Sequence, residues 1–221
     1  MTDVAAAAAA LEGAPALEVL RWAAATFPRV ALATSLGPED GVLLDLIARH
    51  ELAIDVFTLD TGLLFDESRA LWRALEARYQ RPIRAVAPAQ TLAEQATELG
   101  DALWTRAPDA CCARRKLAPL AAELARHDAW ITAIRRDQTA DRATAAVVEL
   151  DRRFGLVKVN PLVAWTSADV WQHLAAHAVP TNPLHARGYP SIGCAPCTSP
   201  VAAGEDPRSG RWRGQAKDEC G

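Results

Sequence analysis

Arg29-Val30-Ala31-Leu32-Ala33-Thr34-Ser35-Leu36-Gly37-Pro38, followed by Glu39–His50 (EDGVLLDLIARH), decides the fold. Val30 to Ala33 is a short apolar run of the kind found in a strand buried on both faces. Ser35 to Pro38 is turn chemistry. Glu39–His50 then repeats apolar side chains at helical spacing behind an acidic first turn. Buried strand, short turn and amphipathic helix make the first half of a strand–helix–strand unit.

Outward from that stretch the unit recurs. Ile54-Asp55-Val56-Phe57-Thr58-Leu59 reads as a strand, Asp60-Thr61-Gly62 as a turn and Asp66–Tyr79 as a helix. Ile83–Val86 and Ala129–Ile134 are further strands, with helical spacing over Leu117–His127 between them. Val147–Leu150 and Leu156–Val159 complete the strands, and Ser167–His177 is a helix with Ser167 as its cap. Strands alternating with helices predict crossover connections and a mostly parallel sheet, an α/β fold of Rossmann-like type. Upstream, Leu17, Leu20, Ala24 and Phe27 mark a first helix, and the Ala-rich residues 1–14 are expected to fray. From about Val179 the chain becomes rich in Pro, Gly and Arg without periodicity. That texture predicts one domain over 15–200 with a loop-rich end, then a mobile tail over 201–221.

Composition narrows the function. The 221 residues hold 24 Lys and Arg against 27 Asp and Glu, a net charge of −3. That balance excludes a nucleic-acid binder held by bulk positive charge. Apolar residues at 50% and charged residues at 23% are globular proportions and argue against disorder. No run of about 18 apolar residues predicts a membrane span. Met1-Thr2-Asp3 lacks the positive start of a secretory signal, so a cytoplasmic protein is expected.

Five cysteines stand at 111, 112, 194, 197 and 220. An odd count without an export signal argues against a disulfide framework. An adjacent pair, a Cys-x-x-Cys and one terminal cysteine read instead as four ligands and one reactive thiol. Four thiolates suit tetrahedral zinc or an iron–sulfur cluster. Two sequential cysteines crowd one small ion and are more easily placed on different irons of a cubane, so a 4Fe-4S cluster on Cys111, Cys112, Cys194 and Cys197 is preferred over zinc. Cys111-Cys112 is expected to open a helix, with Arg114, Arg115 and Lys116 as cations beside a net-negative cluster.

Ligands of open parallel sheets bind beyond the carboxyl ends of the strands. Two turns lie there: Thr34–Asp40, which offers Ser35, Gly37 and Glu39 at a helix start, and Leu59–Gly62, which offers Leu59 and Thr61. Free N–H groups and hydroxyls at a helix start suit an anionic nucleotide. The Gly-Lys-Ser/Thr ending of a Walker A loop and the GxGxxG of a dinucleotide fold are both missing. Arg135-Arg136-Asp137-Gln138 and Arg142 follow a third strand and can hold ribose or phosphate. Arg208 and Arg211 in the glycine-bearing tail are bidentate anion binders. Cys220, on the tail near cations, is a candidate nucleophile. His173 and His177 lack the Glu of HExxH and read as helix surface; the tryptophans read as packing.

In this order the motifs Ser35–Asp40, Leu59–Gly62, Cys111–Lys116, Arg135–Gln138, Asn160–Leu162, Pro180–His185, Gly188–Thr198, Gly210–Trp212 and Lys217–Gly221 resemble the assimilatory adenylyl-sulfate reductases. Their family also contains the phosphoadenylyl-sulfate reductases. The cysteine pairs resemble the adenylyl-sulfate branch. The resemblance implies an adenine-nucleotide alpha-hydrolase-like fold and one 4Fe-4S cluster. It implies that Cys220 attacks the sulfur of adenylyl sulfate, releases AMP and carries an S-sulfo group, which thioredoxin or a glutaredoxin-like reductant frees as sulfite. Lys116, Arg208 and Arg211 match positions that contact the phosphosulfate. Ser35 and the Leu59–Thr61 turn would hold the adenosine, and Arg142 the ribose or phosphate. A homodimer or homotetramer is implied, with no nucleic-acid or membrane partner. The family tail runs on past Glu-Cys-Gly to a histidine where this sequence ends, and it carries glycine where Ala133 stands. The alternatives are a phosphoadenylyl-sulfate or dual-substrate reductase, an ATP pyrophosphatase acting on tRNA and a non-catalytic iron–sulfur or zinc redox sensor.

Overall fold

Residues 2–215 and Lys217 are described in the computed structural model. The alanine run expected to fray is the helix α1 (Val4–Leu11), started by Asp3, whose carboxylate accepts the Ala6 N–H at 3.1 Å. Alanine is the strongest helix former, and this cap satisfies one of the unpaired N–H groups at the helix start. Val4, Ala7, Ala8 and Leu11 pack against the core at helical spacing. In α2 (Ala16–Thr26) the buried residues Ala16, Val19, Leu20 and Ala23 form one stripe.

The alternation then runs through β1 (Val30–Thr34), α3 (Pro38–Arg49), β2 (Asp55–Leu59), α4 (Asp66–Tyr79), β3 (Arg84–Val86), α5 (Leu92–Leu99), α6 (Leu103–Arg106) and α7 (Pro108–Cys112). It continues through a π-helical turn at Ala113–Leu117, α8 (Ala118–Leu124), β4 (Ala129–Ile131), β5 (Val148–Asp151), β6 (Leu156–Val159) and α9 (Ser167–Ala176). The cysteine pair therefore closes a short helix instead of opening one. Thr166, not Ser167, caps α9, in a reciprocal bond with Asp169. Strand β4 ends three residues before the expected Ile134, so Thr132 to Arg135 leave the sheet toward its carboxyl edge.

The sheet order is β3-β2-β1-β4-β6-β5, parallel throughout except for β5 against β6. Leu32 on β1 lies level with Val56 on β2 and Ile131 on β4. These three face the larger core with α2, α3 and α9. Burying each such side chain stabilises the fold by about 1.5–3 kcal/mol. The opposite face holds Ala31 and Phe57 under Leu124 of α8. Small alanines at 31 and 33 leave room on that face. From β1 the chain winds outward through β2 and β3, then crosses to β4 on the other side. That reversal opens a crevice beyond the carboxyl ends of β1 and β4.

A buried polar clamp fixes α3 to α9 and α4. The fully buried Asp45 accepts from His173 Nε2 at 2.9 Å and from Tyr79 Oη at 3.0 Å. Arg49 joins the same carboxylate at 3.3 Å and meets His177 Nδ1 at 3.0 Å. His173, expected on the helix surface, is thus an inward partner of a buried acid, a pairing that helical spacing alone does not reveal.

Beyond α9, short turns at Pro183–Arg187 and Ala195–Cys197 replace regular helices. Asn182 ties the first to α4: its side chain accepts the Leu184 N–H and donates to Ser68 Oγ, both at 3.0 Å. The segment expected as a mobile tail continues, over its described part, as turns tied to the cysteine loop. Trp212 is buried and donates from its backbone to the Cys197 carbonyl at 3.0 Å, while Ser199 and Gly210 pair at 2.8 Å. Among the described residues, no helix is long and apolar enough to cross a membrane.

Candidate active site

The crevice is a cleft of about 760 Å³. Nine residues singled out as substrate contacts line it: Ser35, Gly37, Glu39, Leu59, Thr61, Lys116, Arg142, Arg208 and Arg211. Cys194 lines it too. A side chamber of about 540 Å³ opens past β4 and shares Ser35, Glu39, Gln138 and Arg142 with it.

The first turn is built by Asp40. Its Oδ2 accepts from Ser35 N at 2.9 Å, Ser35 Oγ at 2.7 Å and Gly37 N at 3.0 Å. Burial is the largest influence on this carboxyl and pushes it up to about 6, against the pull of those donors. Leu36, between them, adopts φ +63°, a left-handed conformation that costs a non-glycine residue energy and is held by Thr34 Oγ1 accepting the Leu36 N–H at 3.0 Å.

Glu39 is a brace. Its carboxylate is held by Arg135 and by Gln138 Nε2 at 3.2 Å. Arg135 also bonds Asp137 at 2.9 Å, and Gln138 Oε1 accepts from Arg142 at 2.5 Å. The loops after β1 and β4 are thereby joined across the mouth of the crevice.

The second turn meets the cysteines. Thr61 Oγ1 lies 3.3 Å from Cys194 Sγ, and Leu64 pairs with Cys194 along the backbone. The three consecutive cations after Cys112 part ways on the π-helical turn, whose wider winding spreads neighbouring side chains. Arg114 turns outward to Glu98 at 3.1 Å, away from its expected place beside the thiols. Arg115 is buried; its guanidinium donates to the Thr61 carbonyl at 2.6 Å and to Gln90 O and Gln95 Oε1 at 3.2 Å. Lys116 lines the cleft.

Cys111, Cys112 and Cys194 are buried and Cys197 is half-buried. Burial first, then the neighbouring Cys194, push the Cys197 thiol up to about 11; Cys111 adds to the rise, and Lys116 and Arg211 oppose it. Thiols from two distant segments thus bear on one another beside two cations. The Cys197 thiol, which resists ionising on its own, would be ionised outright by a coordinated cation. Among the described residues, the donor set, soft thiols from two segments that are not gathered around one point, fits iron–sulfur chemistry better than a single zinc ion.

Arg211 is seated by packing. A Cβ on Gly193 would overlap its guanidinium, which lies over the Trp212 ring at 4.4 Å and reaches Ser191 Oγ at 3.4 Å. Only glycine leaves that place open. The candidate nucleophile Cys220 lies outside the described residues. Two cleft residues escaped the motif reading of roles. Trp171, read as packing, is exposed at the rim, and His185 stands edge-on to it at 5.5 Å. Pro180–His185 carried a resemblance but no chemical signal of its own.

A doubly wound sheet with a crevice at its switch point, lined by Lys116, Arg208, Arg211 and Cys194, has the architecture of the nucleotide-binding α/β proteins. The model of the phosphoadenosine phosphosulfate reductase domain matches residues 29–200, and the chain belongs to that family. The adenosine 5'-phosphosulfate reductase of Halalkalibacterium halodurans is 45% identical over 96% of this chain and 93% of its own. A Gloeobacter violaceus protein named phosphoadenosine 5'-phosphosulfate reductase is 46% identical over 87% of this chain and 81% of its own. Among solved structures, phosphoadenylyl-sulfate reductase from Candida auris, in a phosphate complex, superposes with a TM-score of 0.81 at 29% identity, covering 91% of this chain and 98% of that one.

Proposed function

We propose that this chain is a reductase that converts adenylyl sulfate to AMP and sulfite in assimilatory sulfate reduction, with thioredoxin or a similar dithiol as reductant. The observation that carries the reading is a single cleft that unites Ser35, Leu59 and Thr61 with Lys116, Arg208, Arg211 and Cys194. Relatives named adenosine 5'-phosphosulfate reductase support it. The Ser35 and Leu59 turns receive adenosine. Lys116, Arg208 and Arg211 face the phosphosulfate and offset charge on the departing phosphate.

Cys220 supplies the thiolate. Its sulfur forms a bond to the sulfuryl sulfur while the sulfur–oxygen bond to phosphate breaks and AMP leaves with the electron pair. A dithiol reductant then attacks the Cys220 sulfur, releases sulfite and ends as a disulfide, returning Cys220 to its thiol. Cys111, Cys112, Cys194 and Cys197 hold one 4Fe-4S cluster, which, when bound, lends its electrostatic field to the floor of the cleft. Such chemistry belongs in a reducing compartment, the cytoplasm.

Turnover tests the reading: purified anaerobically, the protein should release sulfite from adenylyl sulfate with thioredoxin, and Cys220→Ser should lose it while still binding AMP. Retained sulfite release by Cys220→Ser rejects the thiol's role. Because relatives of equal identity carry both substrate names, the 3'-phosphorylated nucleotide belongs in the same assay.

A further inference from the structure

Helix α9 carries His173 and, one turn on at its end, His177; both meet side chains of α3. The two helices lie close at Gly41, where a Cβ would stand 3.1 Å from Leu174 Cδ2. One turn beyond Gly41, α3 presents Asp45, whose side chain is fully buried. Ring nitrogens of both histidines and a carboxylate oxygen of Asp45 all lie within 4.8 Å of one another. His173 Nε2 is 2.9 Å from Asp45 Oδ2, and the two imidazole centroids are 4.4 Å apart. The other oxygen, Oδ1, accepts from Tyr79 Oη of α4 at 3.0 Å. That bond sets the plane of the carboxylate and leaves Oδ2 to the imidazoles, as an outer partner does for a metal ligand.

The centre of this group is held by a cation on a flexible stem. Arg49 Nη1 lies 3.3 Å from Asp45 Oδ2, and 3.0 and 3.3 Å from the two ring nitrogens of His177. Its side chain is 47% exposed and stands on the last turn of α3, so it is free to swing into solvent. Two further side chains frame the group without entering it. Arg78 donates to the His177 carbonyl at 2.5 Å, and the Trp165 ring flanks His173 at 5.9 Å.

We propose that Asp45, His173 and His177 form a binding site for a zinc-class divalent ion, in which Arg49 is a displaceable stand-in for the metal. Two imidazoles and one carboxylate are an established set of three protein ligands for zinc, and histidines at i and i+4 on a helix reach the same ion. The third ligand comes from a different helix, so no sequence motif announces it. Nitrogen donors select zinc, cobalt or nickel over magnesium and calcium. On binding, His173 ligates through Nε2 and carries its hydrogen on Nδ1. Arg49 leaves, and solvent takes the fourth position on the side it uncovers. The ion ties α3, whose first turn brings Glu39 to the cleft, to α9, which carries Trp171 at the rim. The site stands apart from the cysteine pairs and does not depend on the reductase reading.

The test uses zinc as the probe, titrated by calorimetry into the anaerobically purified protein and followed by absorption at the zinc K-edge. The expected result is one zinc per chain with nitrogen and oxygen neighbours at about 2.0–2.1 Å and no sulfur shell at about 2.3 Å. His177→Ala, at a half-buried helix end, should weaken binding at least about 100-fold and leave the metal-free melting temperature near wild type. Tyr79→Phe removes only the orienting bond and should weaken binding about tenfold. Arg49→Gln removes the competing cation and should tighten binding about fivefold. Zinc should raise the melting temperature of the wild type and not that of His177→Ala. A sulfur shell around the zinc, equal binding by the wild type and His177→Ala, or no gain in Arg49→Gln overturns the assignment.

Discussion

Arg115 donates its Nε hydrogen to the Thr61 carbonyl at 2.6 Å, and through that bond the segment bearing one cysteine pair is fixed to the turn that meets the other. On the far side of the same residue, the Thr61 hydroxyl lies 3.3 Å from Cys194 Sγ. A buried guanidinium that satisfies three acceptors is a stiff strut, since each charge-assisted bond is worth about 1.5–3 kcal/mol.

Arg115→Lys replaces that planar fork by a single point charge and leaves acceptors unmatched. The urea midpoint should fall by the equivalent of about 2–3 kcal/mol, and iron per chain should fall with it. Unchanged values for both would remove the strut from the account.

Gly193→Ala places a methyl group where the Arg211 guanidinium lies. Arg211 must then leave its seat over Trp212, so the Michaelis constant for adenylyl sulfate should rise about tenfold, roughly 1.4 kcal/mol of binding. An unaltered Michaelis constant would show that Arg211 has no part in substrate binding.

Asp40 gives the fold a pH dependence of known sign. Burial raises its carboxyl from 3.8 to about 6. The folded state therefore holds its proton more tightly than the unfolded chain, and the stability this contributes is lost as pH climbs through about 6. Asp40→Asn should abolish that loss, so the melting temperature should change less unfavourably between pH 5 and 7 than in the wild type. The same variant replaces the charged acceptor of Ser35 and Gly37 by a neutral amide oxygen, a weaker partner, and AMP binding should weaken about tenfold at pH 7. Identical melting profiles would contradict the buried carboxylate.

His173 acts in the opposite direction. Burial holds its imidazole below the ordinary 6.5, although the bond to Asp45 pulls upward. Its contribution is present above 6.5 and is lost as pH falls through the lowered value. His173→Gln keeps a donor for Asp45 and does not titrate. Melting temperatures measured from pH 7 down to 5 should decline less steeply in this variant than in the wild type.

The strands were legible because Val30–Ala33 and Val56-Phe57 are short apolar runs closed by turn residues, and the carboxyl-edge rule then placed Ser35, Leu59 and Thr61 at one cleft. The small helices between Leu92 and Cys112 were not legible. They are four to eight residues long and owe their order to packing. The divergence of Arg114, Arg115 and Lys116 depends on a π-helical turn that has no spacing signature. Asp40, His173 and His185 were hidden for one shared reason. A polar residue's partner in the fold, whether the Ser35 hydroxyl, the Asp45 carboxylate or the Tyr189 carbonyl, is chosen by tertiary packing. Sequence neighbours do not announce it.

The covalent step is the centre of the account. Anaerobic protein mixed with adenylyl sulfate and no reductant, then digested for peptide mass spectrometry, reads it directly. The prediction is one equivalent of AMP and one sulfuryl group on the Cys220 peptide, with the peptides of the other four cysteines unmodified. AMP released without a sulfuryl group on Cys220, or a sulfuryl group on Cys194 or Cys197, would contradict it.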